Sequence, residues 1–157
     1  MSVADHFPPG ALIGLDTAPF IYHFEAHPEF GGLMRAFFRE CIDTGRNPAV
    51  TSVVTLAELL VQPKSLGRAD LVTRYREYLT GTPGVRLLPL DATSAERAAE
   101  LRATYGLRLP DAFRIAACLG AGAGVFLAND TKLRQVRELK VVLLSDLTFE
   151  SEPPADG

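Results

Sequence analysis

Four acids in this chain stand where packing alone would not ask for an acid. Asp16 follows the apolar run 11–15, and Glu58 lies among Leu56, Leu59 and Leu60. Asp111 comes directly after Pro110 at the head of an apolar stretch, and Asp130 follows Asn129 at the end of the run 125–128. Burying a carboxylate without a partner is expensive, so acids set so close to apolar runs ask for a cation or a ligand. Oxygen donors with no histidine or cysteine among them suit magnesium, with manganese as a substitute, rather than zinc. Ions held in this way can activate water and steady the leaving oxygen in phosphodiester hydrolysis. Taken singly, each acid has a plainer role: Asp111 as a helix cap, Asp16 and Asp130 as turn residues, Glu58 as the partner of an arginine.

Hydrophobic periodicity places these acids on elements. Short apolar runs predict strands at 11–15, 49–52, 85–90, 125–128 and 140–144. Helical spacing predicts helices over 19–26, 33–42, 53–61, 69–79, 94–105 and 109–119, with Thr93 to Glu96 as a capping box and Gly45 and Gly106 as stops. Strands that alternate with helices predict an α/β fold, with a central parallel sheet of four to five strands covered by helices on both faces. In such sheets ligands bind beyond the carboxyl ends of the strands, where strand order reverses. Asp16 and Asp130 fall at strand ends, Asp111 heads the helix before the Asp130 strand, and Glu58 follows the second strand. All four could share one crevice.

Length and composition bound the rest. The 157 residues predict one domain over 11–149, between an N-terminal tail at 1–10 and a polar C-terminal tail at 150–157. A formal net charge of -3 leaves no broad basic surface for general nucleic-acid binding, so any polyanion must be met locally, with a cation inverting the charge of the acids. Two cysteines, Cys41 and Cys118, both in apolar helical patterns, read as buried thiols and suit a reducing cytoplasm. The N-terminus carries no leader pattern, and no segment approaches a membrane span.

Other candidates carry less. Gly120, Gly122 and Gly124 follow a helix and precede a strand, the reverse of a phosphate-binding loop. His23 and His27 are four apart but lack a third soft ligand, and read as a solvated face. Asp91 and Asp146 suit capping or turn duty, with Asp146 as the nearest thing to a fifth acid, and Asp43 and Asp70 read as surface residues. An aspartyl phosphatase would want an acid where Ala18 stands, and a receiver domain a lysine at the end of a late strand, where Lys140 instead begins one. Arg114, one turn beyond Asp111, reads as an exposed helical arginine or as a contact to an RNA backbone.

The chain resembles PIN-domain proteins, in particular the VapC-type ribonuclease toxins of toxin-antitoxin pairs. The motifs that carry the likeness are Leu12-Ile13-Gly14-Leu15-Asp16-Thr17, Thr51-Ser52 leading to Glu58-Leu59-Leu60, Asp111-Ala112 leading to Ala116-Ala117, and Val125 to Asp130. The resemblance implies a magnesium-dependent endoribonuclease with Asp16, Glu58, Asp111 and Asp130 as metal-binding catalytic acids. It further implies that Thr17 supports the first acid through its hydroxyl and that Asn129 flanks the fourth. RNA would be the substrate, a cognate antitoxin would block the crevice with an arginine or lysine, and a homodimer is usual. Ala128 departs from the hydroxyl residue that many relatives carry there, which puts one supporting contact in question. Two other expectations remain: a PIN fold kept as a non-catalytic interaction module, and an RNA-processing nuclease without an antitoxin. Leu59 to Leu79, with Tyr75 and Tyr78, is the region expected to meet a partner or to pack on the domain's own core.

Overall fold

The computed structural model describes residues 2–147. Five strands form one sheet in the order β3-β2-β1-β4-β5, and every neighbouring pair is parallel. They are β1 (Ile13–Leu15), β2 (Ala49–Ser52), β3 (Val85–Leu88), β4 (Val125–Ala128) and β5 (Lys140–Leu143). The chain moves outward from β1 to β3 on one side, then returns to place β4 on the other side of β1. Strand order therefore reverses between β1 and β4, and the carboxyl ends of these two strands open the crevice where this architecture binds ligands.

Among the described residues six α-helices surround the sheet: α1 (Thr17–Phe24), α2 (Gly31–Phe37), α3 (Val53–Ser65), α4 (Ala69–Gly81), α5 (Ala92–Tyr105) and α6 (Leu109–Gly120). Successive side chains of a strand point to opposite faces, so each central strand feeds two cores. Ile13, Leu15, Val125 and Leu127 pack with Phe20, Met34 and Phe37 on one face. Phe126 and Ala128 pack with Ala112, Ile115 and Cys118 on the other. Both cysteines are free and buried, and burial pushes the Cys118 thiol up to about 12. No helix among the described residues is long and apolar enough to cross a membrane.

Gly14 is what lets α6 approach β1. A Cβ at this position would lie 2.9 Å from both the Cys118 Sγ and the Phe126 Cδ2. Gly14→Ala should therefore lower stability by about 1–3 kcal/mol through overpacking, read as a lower urea midpoint. Because α6 carries Asp111, the same change should also disturb the site at the head of that helix.

Several elements differ from the sequence reading. Residues 3–7 are not a loose tail: Val3 and Phe7 are buried, the Val3–His6 turn is a 3-10 helix, and Phe7 packs edge-on against Phe37 at 5.4 Å. Asn47, itself buried, donates to the Pro8 and Ala11 carbonyls and ties this segment down. The second predicted helix is α2 followed by a π turn, Phe38–Ile42. α3 runs on past Pro63, which tolerates its place in the last turns, and α5 starts earlier because Asp91, not the Thr93 capping box, accepts from the Ser94 amide. Strand β3 stops at Leu88. The predicted C-terminal tail, 150–157, lies outside the described residues.

Candidate active site

β1 ends at Leu15, and the next residue caps α1. The Asp16 carboxylate accepts from the Thr17 amide at 2.8 Å, while the Asp16 amide donates to the Leu127 carbonyl of β4 at 3.0 Å. One acid is thereby held at the point where strand order reverses. Glu58 comes in from the second turn of α3, a helix that Ser52 starts by accepting from the Val54 amide. Asp111 comes in from the first turn of α6, which opens on Leu109-Pro110 as the sequence predicts.

These three acids converge on a guanidinium. Arg114, only 1 % exposed, donates from Nη1 to the Asp16 Oδ1 at 2.6 Å and to the Asp111 Oδ1 at 3.1 Å, and from Nη2 to the Glu58 Oε1. Its Nε donates to the Thr55 hydroxyl at 2.9 Å. The Thr51 hydroxyl gives its single proton to the Leu15 carbonyl at 2.8 Å, so the proton shared over the 2.8 Å between Thr51 and Thr55 comes from Thr55. That ordering leaves the Thr55 oxygen free to accept from Arg114. A buried line of hydrogen bonds thus runs from the end of β1 through β2 and α3 to α6. Thr55→Val would strand the Arg114 Nε and should destabilise the fold by about 1–3 kcal/mol, measured by urea unfolding.

Arg114 departs from the sequence reading, which placed it on a helix surface or against RNA. The reason is helical geometry: residues three apart share a face, so the arginine follows Asp111 inward along the stripe that meets β1 and α3. The signal was present in the sequence, because Arg114 stands between Phe113 and Ile115 in an apolar run. Thr51 and Thr55, also missed, are fully buried hydroxyls flanking the start of α3.

The other site residues fall as follows. The Thr17 hydroxyl reaches Glu58, not Asp16, donating to its Oε2 at 3.1 Å. Glu58 keeps its outer side open to solvent, with 39 % of its side chain exposed. Asn129 donates to the Tyr22 hydroxyl at 3.1 Å and so joins the end of β4 to α1. Asp130 lies beyond the end of β4, exposed, and caps a 3-10 turn by accepting from the Lys132 amide at 3.0 Å. It makes no hydrogen bond to the other three acids. Ala128 is fully buried in the α6-side core. His23 packs on Phe38 at 4.4 Å, and the His27 Nδ1 accepts from the amides of Glu29 and Phe30; both rings are half-buried. Asp146 pairs with Arg134.

Burial raises the pKa of Asp16 above the ordinary carboxylate value; Arg114 and the Thr17 amide oppose that rise, and Asp111 and Glu58 add to it. The carboxylates therefore crowd one another, and positive charge is what makes their company tolerable. Among the described residues no three acidic, imidazole or thiol groups form a ready cation cage. The donor set, carboxylate oxygens without histidine or cysteine, is nevertheless of the kind a hard cation takes. Asp16 Oδ2 and Asp111 Oδ2 accept no hydrogen bond among the described residues, and neither is a buried atom lacking a partner.

The family profile of the PIN domain matches residues 13–139. The chain belongs to the PIN-domain family. Its fold neighbours include DNA-bound VapBC proteins and a VapC toxin. This PIN domain superposes on VapBC2 from Rickettsia felis, bound to a promoter DNA fragment, with a TM-score of 0.67 at 17% identity, over 84% of this chain and 98% of that one. FitAB bound to a DNA fragment gives 0.68 at 18%, over 88% and 99%. VapC20 of Mycobacterium tuberculosis, described as a sarcin-ricin loop cleaving toxin, gives 0.64 at 17%, over 82% and 98%. No curated protein matches this sequence. At these identities the neighbours establish the fold, and activity has to be argued from the PIN-domain site itself.

Proposed function

We propose that this PIN-domain protein is a metal-dependent endoribonuclease of the VapC toxin type. The observation that carries the reading is the convergence of Asp16, Glu58 and Asp111, from three different elements, at the strand-order switch point. Asp16, Glu58 and Asp111, with Asp130 on the neighbouring strand end, are the residues that would hold Mg2+ or Mn2+. Such an ion, when bound, supplies a water acidified enough to attack a phosphodiester. The chain's own part is to hold the acids at fixed positions: Thr17 orients Glu58 through its hydroxyl, the Thr17 amide orients Asp16, and Asn129 fixes the end of β4 to α1.

An antitoxin is the proposed protein partner. A groove of about 270 Å³ between α1, α3 and α4 is lined by Ile21, Phe24, Leu59, Leu66 and Tyr75 and reaches Glu58. Leu66 is 66 % exposed there, whereas Tyr78 is partly buried against Phe24 and Phe38. An apolar segment seated in this groove would end beside the acids. Two fold neighbours are described as toxin-antitoxin proteins, a complex from Klebsiella pneumoniae and VapBC-5 from Mycobacterium tuberculosis, in keeping with this reading.

Arg114 also favours a second reading, a PIN fold used as an interaction module, because it matches three carboxylates without any metal. Incubating single-stranded RNA with the protein in Mg2+, in EDTA, and as Asp16→Asn separates the two. The nuclease requires cleavage in the first only; equal behaviour in all three leaves the interaction module.

A further inference from the structure

Two roles are open to a guanidinium set among acids: a removable plug that a cation displaces, or a permanent member of the site. The hydrogen bonds distinguish them. A plug would be held by the acids alone, but Arg114 is also held from behind, by Thr55 and through it by Thr51 and the Leu15 carbonyl, all within the core. Four of its N–H groups are engaged, and the side chain is 1 % exposed. Removing it from that setting would leave the Thr55 oxygen and Asp111 without the donor they share and would strip Asp16 and Glu58 of their charged one.

We infer that Arg114 permanently takes the place of a second cation, so that this site holds a single divalent ion, bound through the carboxylate oxygens that the guanidinium leaves open. The inference rests on the metal-dependent nuclease reading. Nη1 is divided between the Asp16 Oδ1 and the Asp111 Oδ1, so the space between those oxygens is filled by a nitrogen. Oδ2 of each residue accepts no hydrogen bond among the described residues and remains for an ion. Charge agrees with geometry. Asp16, Glu58 and Asp111 against one guanidinium leave two negative charges, which one divalent ion balances. A second ion would make the site net positive even with Asp130 counted. Arg114 is thus a positioning residue: it assembles the acids before the ion arrives and limits how many ions they accept.

The test counts bound Mn2+ by the loss of its free-ion electron paramagnetic resonance signal, with folding followed by circular dichroism in the same samples. The full chain should bind one Mn2+ and lose it in Asp16→Asn. Arg114→Met, which removes the charge, should bind two; Arg114→Lys, which keeps it, should bind one. Should Arg114→Met fail to fold even in excess Mn2+, the wild-type and Arg114→Lys counts decide. Two ions on the wild-type chain or on Arg114→Lys, or only one on folded Arg114→Met, overturn the inference and leave the nuclease reading standing. No Asp16-dependent Mn2+ on the wild-type chain overturns the nuclease reading, and this one with it.

Discussion

Arg114→Met should lower the stability of the metal-free protein by about 3–5 kcal/mol, the range seen when one partner of a buried ion pair is removed. The methionine keeps much of the volume and the straight stem, so the loss reports charge and hydrogen bonds more than packing. Three carboxylates would be left facing one another, with Asp16 the most buried of them. Glu58 can turn toward water, since its side chain is 39 % exposed, and that relief keeps the expected loss at the lower end of the range. For a domain with a total stability of about 5–15 kcal/mol, this is a large fraction. The check is urea unfolding in EDTA and again in Mn2+: the ion should restore part of the difference, because it supplies the missing positive charge. A loss below about 1 kcal/mol, the size of a solvated pair, would mean that the acids do not depend on Arg114.

Asp16→Asn should reduce Mg2+-dependent RNA cleavage by at least about 100-fold. Loss of a residue that only supports a metal ligand already costs about 10–100-fold, and Asp16 is proposed as a ligand itself. The substitution is nearly isosteric, and the asparagine oxygen can still accept from the Thr17 amide, so the α1 cap should survive. It also has a pH signature in stability. The Asp16 pKa is raised in the folded state, chiefly by burial, so between its unfolded and folded values the folded protein binds more protons. That term therefore favours folding at acid pH and is lost as pH rises through the window, leaving the burial penalty in force near neutrality. Asp16→Asn should remove this component, seen as a changed slope of the urea midpoint against pH on the acid side. A variant that cleaves RNA at the wild-type rate would remove Asp16 from the proposed chemistry.

Much of this architecture was legible in the residues. Apolar runs broken by Asp16 and by Asn129-Asp130 marked the ends of β1 and β4, since a buried parallel strand has to be apolar on both faces and has to stop where solvent begins. Pro110 and Asp111 marked the start of α6 because a proline has no amide to lose at that point. The N-terminal segment was misread because Pro8-Pro9-Gly10 looks like the end of a tail. What holds Val3 and Phe7 is contact with α2 and the π turn, residues some thirty positions away in sequence.

By itself the sequence determined the alternation of strands and helices, the strand ends that bear acids, and the oxygen-only character of the donors, because these depend on local periodicity and residue chemistry. Only the tertiary structure decided which acids meet. Asp16, Glu58 and Asp111 converge around Arg114, while Asp130 spends a carboxylate oxygen on capping its own turn. That choice depends on how closely α6 approaches β1 over Gly14 and on which way a buried arginine turns, and both are set by contacts between residues about a hundred positions apart.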